Sequence, residues 1–147
     1  MKVLLLALSW LWTFASPVWE TDFDKARQAA VSTHHLILLN FSGSDWCGPC
    51  IRLRNEFFEQ NAFLTFADQQ LILLNADFPR SKKNQLSREQ QKRNDALADK
   101  YNPEGHFPFT LLLDENGKVL KTWEGAPNTS PEGFVDQLKT ACHAAGK

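Results

Sequence analysis

The stretch S-D-W-C-G-P-C spans residues 44–50 and places Cys47 and Cys50 three positions apart. It follows the apolar run 36–41, which predicts a buried strand, and precedes residues 51–66, which predict a helix interrupted near its middle. A cysteine at a helix N-terminus lies near unpaired N–H groups and the positive end of the helix dipole, and both favour a thiolate. The pair is therefore a candidate for electron exchange.

Two other roles are open to such a pair, a metal site and a structural disulfide. A zinc site typically has four ligands. The other soft ligands in the sequence are Cys142 and the histidines at 34, 35, 106 and 143, which show no second paired spacing. A disulfide from Cys47 to Cys50 would close a loop too short to constrain the unfolded chain much. We favour redox exchange and predict neither a metal nor another cofactor.

In the redox interpretation, Cys47 is the catalytic nucleophile and Cys50 resolves the mixed disulfide from one helical turn behind it. Pro49 is compatible with a first helical turn, because the N–H group that it lacks has no partner there. Trp46 is expected to cover one side of the reactive sulfur and to give a substrate an apolar contact.

The rest of the chain predicts alternating helices and strands. After a first helix capped by Thr21, the predicted elements are the strand 36–41, the helix 51–66, the strand 71–76, a helix from Ser87 to Tyr101, the strands 107–114 and 118–124, and a helix opened by Ser130 and Pro131. Asn116-Gly117 predicts a tight hairpin between the last two strands. This order predicts an α/β fold with a mixed four-stranded sheet, helices on both faces, and parallel pairing of strands that a helix separates.

The N-terminus predicts export of the protein. Lys2 precedes an apolar run, residues 3–15, that is too short to span a bilayer as a helix. We therefore predict a signal peptide at 1–15 and a single domain at 16–147; a buried helix or an uncleaved anchor is the alternative for residues 1–15. Export to the periplasm would put the cysteines in an oxidising compartment.

Charge is distributed unevenly along the chain. The net charge of −1 gives no global field that would attract nucleic acid or a membrane surface. Residues 78–95, however, contain six Lys or Arg against Glu89 and Asp95. The favoured interpretation of this basic segment is a solvated surface insertion, and the alternative is a docking patch for an acidic partner.

Three stretches together resemble the thioredoxin superfamily. The first is W-C-G-P-C between a strand and a helix, and the second is H-F-P-F-T at 106–110. The third, L-L-N-F-S-G-S-D-W-C-G-P-C at 38–50, is similar to exported thioredoxin-like proteins related to the C-terminal domain of the thiol:disulfide interchange reductases. The resemblance implies that Pro108 follows a cis peptide bond facing the cysteines. It also implies that the Phe107 peptide group pairs with the substrate backbone, so that Trp46, Phe107 and Pro108 form the substrate-binding site.

The resemblance implies a thiol-disulfide oxidoreductase, with protein disulfides as substrates. Gly-Pro between the cysteines resembles the reducing members, so we expect a protein-disulfide reductase. An oxidase or isomerase using the same pair and a non-catalytic binding module are the alternatives. We also expect a monomer that uses a membrane electron donor, binds no nucleic acid and is not inserted in the membrane after signal cleavage.

The sequence also departs from the family at several positions. The family has a buried aspartate on the strand before the cysteines, whereas this strand offers Asn40, displaced by an apparent one-residue insertion in Ser42-Gly43-Ser44. Because an amide cannot titrate, proton transfer to Cys50 is expected to be slower or differently routed. Phe109 replaces a common threonine and makes the substrate groove more apolar. Asp45 is expected to be exposed, His106 to have no special role, and Cys142 to be a buried packing residue.

Overall fold

The computed structural model describes residues 17–147, and the predicted signal peptide therefore lies outside the described residues. The helices and strands in chain order are β1 Trp19–Glu20, α1 Phe23–Thr33, β2 Leu36–Ser42, α2 Gly48–Leu53, α3 Asn61–Gln70, β3 Leu71–Asp77, α4 Arg88–Tyr101, β4 Phe109–Leu113, β5 Val119–Glu124 and α5 Pro131–Ala144. A membrane span would need a longer apolar helix than any found within residues 17–147.

The strands form one five-stranded sheet in the order β1-β3-β2-β4-β5. The predicted four-stranded mixed core is confirmed, and β1 adds an edge strand of two residues that is too short to leave a pattern in the sequence. β3 is parallel to both β1 and β2, whereas β4 is antiparallel to both β2 and β5.

Parallel pairing of strands that a helix separates is right for β2 and β3 but wrong for β4. The register pairs Ser42 with Asp77 at the end of β3 and Phe41 with Phe109 at the start of β4. β4 therefore starts at the end of the sheet where β3 finishes. The connection at 78–108 contains a loop as well as α4, and it returns the chain to the same end of the sheet. β4 therefore runs in the direction opposite to β2 and β3.

The helix starts follow side-chain caps, with one correction to the prediction. Asp22, rather than Thr21, caps α1, because its Oδ1 accepts hydrogen bonds from the N–H groups of Asp24 (2.9 Å) and Lys25 (3.2 Å). The carboxylate also complements the helix dipole. The caps predicted for α4 and α5 are confirmed, and they are Ser87 and Ser130.

The helix predicted at 51–66 is interrupted, as expected, before Asn61. It begins earlier, at Gly48, and continues after Leu53 as a π-helical turn over Arg54–Phe58. The wider turn brings the consecutive side chains of Phe57 and Phe58 into the core. Neither the wider turn nor the second start at Asn61 follows from apolar spacing alone.

Side chains alternate along β2 into two cores, one on each face of the sheet. Leu36 and Leu38 join the core formed with α2, α3 and α5. Ile37 and Leu39 join the core formed with α1 and α4. β2 is thus buried on both faces, which explains its continuous apolar sequence and gives the cysteine turn that follows it a rigid base.

Candidate active site

A tight turn connects β2 to α2 and carries the cysteine pair. The N–H of Cys47 donates to the carbonyl of Gly43 (2.9 Å), and the Cys47 Sγ accepts from the N–H of Cys50 (3.3 Å) as the N-cap of α2. Gly43 is required here because a Cβ atom at this position would overlap the indole ring of Trp46. The turn therefore fixes both the sulfur and the tryptophan beside it.

The two cysteines form a disulfide with their Cα atoms 5.2 Å apart. Cys47 is 5% exposed and Cys50 is 4% exposed, whereas Gly48 and Pro49 between them lie at the surface. In the reduced protein, the backbone N–H that meets the Cys47 Sγ would stabilise its thiolate, in agreement with the sequence-based assignment of the nucleophile.

The Phe107–Pro108 peptide bond is cis, as predicted. Pro108 is buried, and its carbonyl accepts a hydrogen bond from the N–H of Gly125 (2.9 Å). Within residues 17–147, by contrast, the backbone N–H and C=O of Phe107 have no hydrogen-bond partner. A substrate strand can therefore pair with this peptide group, as the resemblance implies.

Trp46 joins the cysteine turn to two neighbouring segments. Its ring packs edge-to-face against Phe107, with centroids 5.4 Å apart, and its indole N–H donates to the carbonyl of Phe78 (2.7 Å). The guanidinium carbon of Arg80 lies 3.6 Å from the centroid of the Trp46 ring. The three predicted substrate-binding residues, Trp46, Phe107 and Pro108, thus lie together beside the cysteine pair.

Asp45 is half-buried, so the expectation of an exposed carboxylate is wrong. Its two oxygens accept hydrogen bonds from the N–H groups of Arg80 (2.9 Å) and Ser81 (2.9 Å) and from the side-chain amide of Asn84 (3.0 Å). The N–H of Arg80 is the main cause that lowers the pKa of Asp45. Asp45 therefore holds the start of the basic segment against the cysteine turn.

Asn40 on β2 is buried (6% exposed). It donates to Oδ1 of Asn75 (3.1 Å) and accepts from the hydroxyl of Thr110 (3.1 Å). Asn40 and Cys50 line the same cavity of about 480 Å³. Asn40, Asn75 and Thr110 thus form a neutral hydrogen-bonded network, and its member Asn40 lines the same cavity as Cys50. Altered proton transfer to Cys50 stays a prediction.

His106 has more contacts than the sequence suggested. Its Nδ1 lies 2.6 Å from Glu124 and its Nε2 lies 2.9 Å from Glu104. These carboxylates, chiefly through the hydrogen bond to Glu124, raise the pKa of His106. The backbone of His106 is also held by the side chain of Asn102. The side chains of Asn102, Glu104 and Glu124 thus hold His106 in the loop that leads into the cis peptide bond. That His106 has no special role in the reaction stays a prediction.

The remaining candidates lie away from the cysteine pair. Cys142 is 4% exposed on α5, and burial raises the pKa of its thiol, which agrees with a packing residue. His34 is exposed and ends α1 in the left-handed conformation, while His35 is half-buried. Within residues 17–147, no group of three or more His, Cys, Asp or Glu side chains could hold a metal ion.

The contacts of Asp45 and Arg80 are functional candidates that sequence reasoning missed. The signal was present, however, because two neighbouring parallel strands end at the same edge of a sheet. Since β2 and β3 are parallel and end together at Ser42 and Asp77, the turn after one must lie beside the loop after the other.

Comparison with known proteins gives a consistent result. Residues 18–114 match the family model described as thioredoxin-like. The disulfide bond reductase DsbH of Chlamydia pneumoniae is 32% identical over 123 residues, which cover 84% of this chain and 71% of that protein. A solved structure of a DsbH oxidoreductase superposes with a TM-score of 0.80 at 27% identity, covering 97% of this chain and 95% of the other.

A more distant relative is a protein disulfide-isomerase of Datisca glomerata, which is 28% identical over 109 residues. These residues cover 74% of this chain but only 18% of the isomerase, so the similarity is confined to a small part of that protein. The family model matches residues 18–114, which are most of the chain, and the alignment with the DsbH reductase covers 71% of that protein. The chain therefore belongs to the thioredoxin-like family.

Proposed function

We propose that this protein is a thiol-disulfide oxidoreductase that reduces protein disulfides through Cys47 and Cys50. The observation that carries the proposal is the placement of the cysteine pair at the N-terminus of α2, near the cis peptide bond between Phe107 and Pro108. The backbone N–H and C=O of Phe107 are free to pair with a substrate. The similarity to a disulfide bond reductase supports the same activity.

The reaction proceeds by two thiol–disulfide exchanges. The Cys47 thiolate attacks one sulfur of the substrate disulfide, forms a mixed disulfide and releases the other substrate sulfur as a thiolate. The Cys50 thiolate then attacks the Cys47 sulfur, which releases the second substrate thiolate and leaves the Cys47–Cys50 disulfide. Two electrons pass to the substrate, and the protons lost by the two cysteines are taken up by the released thiolates. A dithiol reductant must then return the pair to its reduced state.

Substrate binding would use the remaining residues of the site. The free N–H and C=O of Phe107 would pair with the substrate backbone, and the ring of Trp46 would cover its apolar side chains. Pro108 would hold this peptide group in place through its buried ring and through the hydrogen bond that its carbonyl accepts from Gly125.

We further propose that the protein is an exported, periplasmic monomer, that a membrane electron donor reduces it, and that residues 1–15 are its signal peptide.

The direction of the reaction can be tested by redox equilibration. We expect a reduction potential near that of thioredoxin, about −270 mV, because Gly-Pro separates the cysteines and because the similar DsbH is a reductase. The measurement equilibrates the protein with glutathione buffers and quantifies the Cys47–Cys50 disulfide. A value near about −120 mV, as in the strongly oxidising members, would instead favour the oxidase alternative.

Covalent trapping tests the activity itself. Replacing Cys50 by alanine should leave mixed disulfides on Cys47 unresolved, so substrates should accumulate as complexes that dithiothreitol releases. The matched control is Cys142→Ala, which removes a buried thiol far along the chain and should trap nothing. A non-catalytic binding module is the correct interpretation if Cys50→Ala forms no mixed disulfide and the unmodified protein reduces no test disulfide.

A further inference from the structure

We propose that the protein prefers disulfide substrates with carboxylate side chains close to the reacting cysteine, and that Arg80 selects them. This inference rests on the proposed function, since it names the substrate class for the same cysteine pair. The surface concerned, called here the basic trough, consists of two adjoining grooves. Its residues used below are Trp46, Pro79, Arg80, Arg88, Gln91, Lys92 and Phe107.

The first groove of the basic trough begins at the cysteine turn. It has a volume of about 620 Å³ and is lined by Trp46 and Phe107 on the side of the active site. Arg80 contributes the one charged side chain that lines this groove among the described residues. A substrate that pairs with the Phe107 peptide group therefore passes next to an arginine.

The second groove continues the first and is also cationic. It has a volume of about 380 Å³ and shares Pro79 and Gln91 with the first groove. Arg88 and Lys92 line it, against a single carboxylate, Asp95. Cationic side chains thus follow one another along a continuous path that leads away from the active site.

The arginine nearest the cysteines is free to bind an anion. Its guanidinium stacks on the face of Trp46, and this arrangement leaves the N–H groups at the edge of the plane available to a carboxylate. Arg80 is exposed and forms no ion pair with any carboxylate in residues 17–147. Arg93 in the same segment shows the contrast, because it already pairs with Asp22 and Glu89.

The backbone that carries Arg80 is held in place before any substrate arrives. The hydrogen bonds from Arg80 and Ser81 to Asp45 and the bond from Trp46 to Phe78 fix the loop at three points. A substrate carboxylate would therefore meet an arginine whose backbone and ring contacts are already formed, so little conformational entropy is lost on binding. This arrangement differs from that expected of a solvated insertion.

The occupant that fits the basic trough is an extended acidic polypeptide segment next to a disulfide. Asp and Glu carboxylates form two parallel hydrogen bonds with a guanidinium edge. The attraction is local, because the whole chain has a net charge of only −1. The trough starts at Trp46, the residue directly before Cys47. A ligand in the trough that also carries a disulfide would bring it to the cysteine turn, which favours a protein substrate over other polyanions.

The test compares two disulfide-bonded peptides of identical sequence, one with Asp and Glu beside the cysteine and one with Asn and Gln in their place. The pre-reduced protein is mixed with each peptide in a single turnover, and peptide reduction is followed by fluorescence. At low salt we expect the acidic peptide to react about fivefold faster, as one or two exposed ion pairs allow. The ratio of the two reduction rates should approach one as the salt concentration rises to about 0.5 M, because salt screens the ion pairs.

Variants assign the preference to Arg80. Arg80→Gln should reduce the ratio of the two rates to below about two, and Arg80→Glu should reverse it in favour of a peptide with lysines at the same positions. The matched control is Lys139→Gln, which removes one positive charge from the exposed face of α5 and should keep the full preference.

Three results would overturn the inference in distinguishable ways. If the unmodified protein reduces both peptides at equal rates, the acidic preference is wrong and the proposed reductase activity stands. If it reduces neither peptide, the proposed function and the preference fail together. Equal loss of preference in Arg80→Gln and Lys139→Gln would assign the effect to net charge and remove Arg80 from its proposed role.

Discussion

Replacing Cys47 by serine should lower the rate of disulfide reduction by at least about a thousandfold. A serine hydroxyl at this position stays protonated, and it cannot form the mixed disulfide on which both exchange steps depend. The N–H of Cys50 that meets the Cys47 sulfur would then face a neutral oxygen and stabilise no thiolate. The rate is measured in a single turnover with a disulfide peptide, after circular dichroism has shown that the variant is folded.

The control for this variant is Cys142→Ser on α5, which tests whether any loss of a thiol has the same effect. Cys142 is buried in the core on the opposite side of α5 from solvent, so its replacement should affect stability rather than the rate of exchange. Retention of more than about a tenth of the activity by Cys47→Ser would mean that another residue is the nucleophile.

Replacing Phe134 by alanine should destabilise the protein by about 4 kcal/mol, the usual cost of removing a buried phenylalanine. Phe134 is 0% exposed. Its ring lies 5.5–6.3 Å, centroid to centroid, from four other aromatic rings, which belong to Phe57, Phe58, Phe63 and Trp123. These rings come from the π-helical turn, α3 and β5, so one cavity would weaken contacts between several elements. Urea unfolding gives the change in the free energy of unfolding.

The matched control is Phe66→Ala on α3, which removes the same side chain from a half-buried position at the edge of the same core. Because neighbouring side chains and water can fill the space there, we expect a loss of less than about 2 kcal/mol. Equal losses for the two variants would contradict the central position assigned to Phe134.

The parts of the fold that could be predicted are those encoded by neighbouring residues. The continuous apolar runs of β2 and β3, the serine caps of α4 and α5, and the cysteine turn between β2 and α2 each have a local physical cause. The cis bond before Pro108 followed from a family resemblance, and the structure contains it. The predicted thioredoxin superfamily membership and the activity class of a thiol-disulfide oxidoreductase are confirmed by the comparisons.

The parts that could not be predicted depend on contacts between distant segments. The direction of β4 depends on how far the chain travels across residues 78–108, which no local pattern records. β1 is a strand only because β3 offers it an edge. The positions of Asp45 and Arg80 depend on the common end of two parallel strands, and the two carboxylates around His106 come from different elements.

The carboxylate of Asp45 has a consequence for anyone who would redesign this protein. It accepts hydrogen bonds from the backbone of residues 80 and 81, and it lies in the cysteine turn, after β2 ends at Ser42 and before Cys47. A loop transplanted in place of residues 78–87 would therefore arrive without its anchor unless it offered the same two N–H groups to Asp45. The cysteine turn and the loop proposed to select substrates are joined by one set of hydrogen bonds, so the turn and the loop would have to be exchanged together.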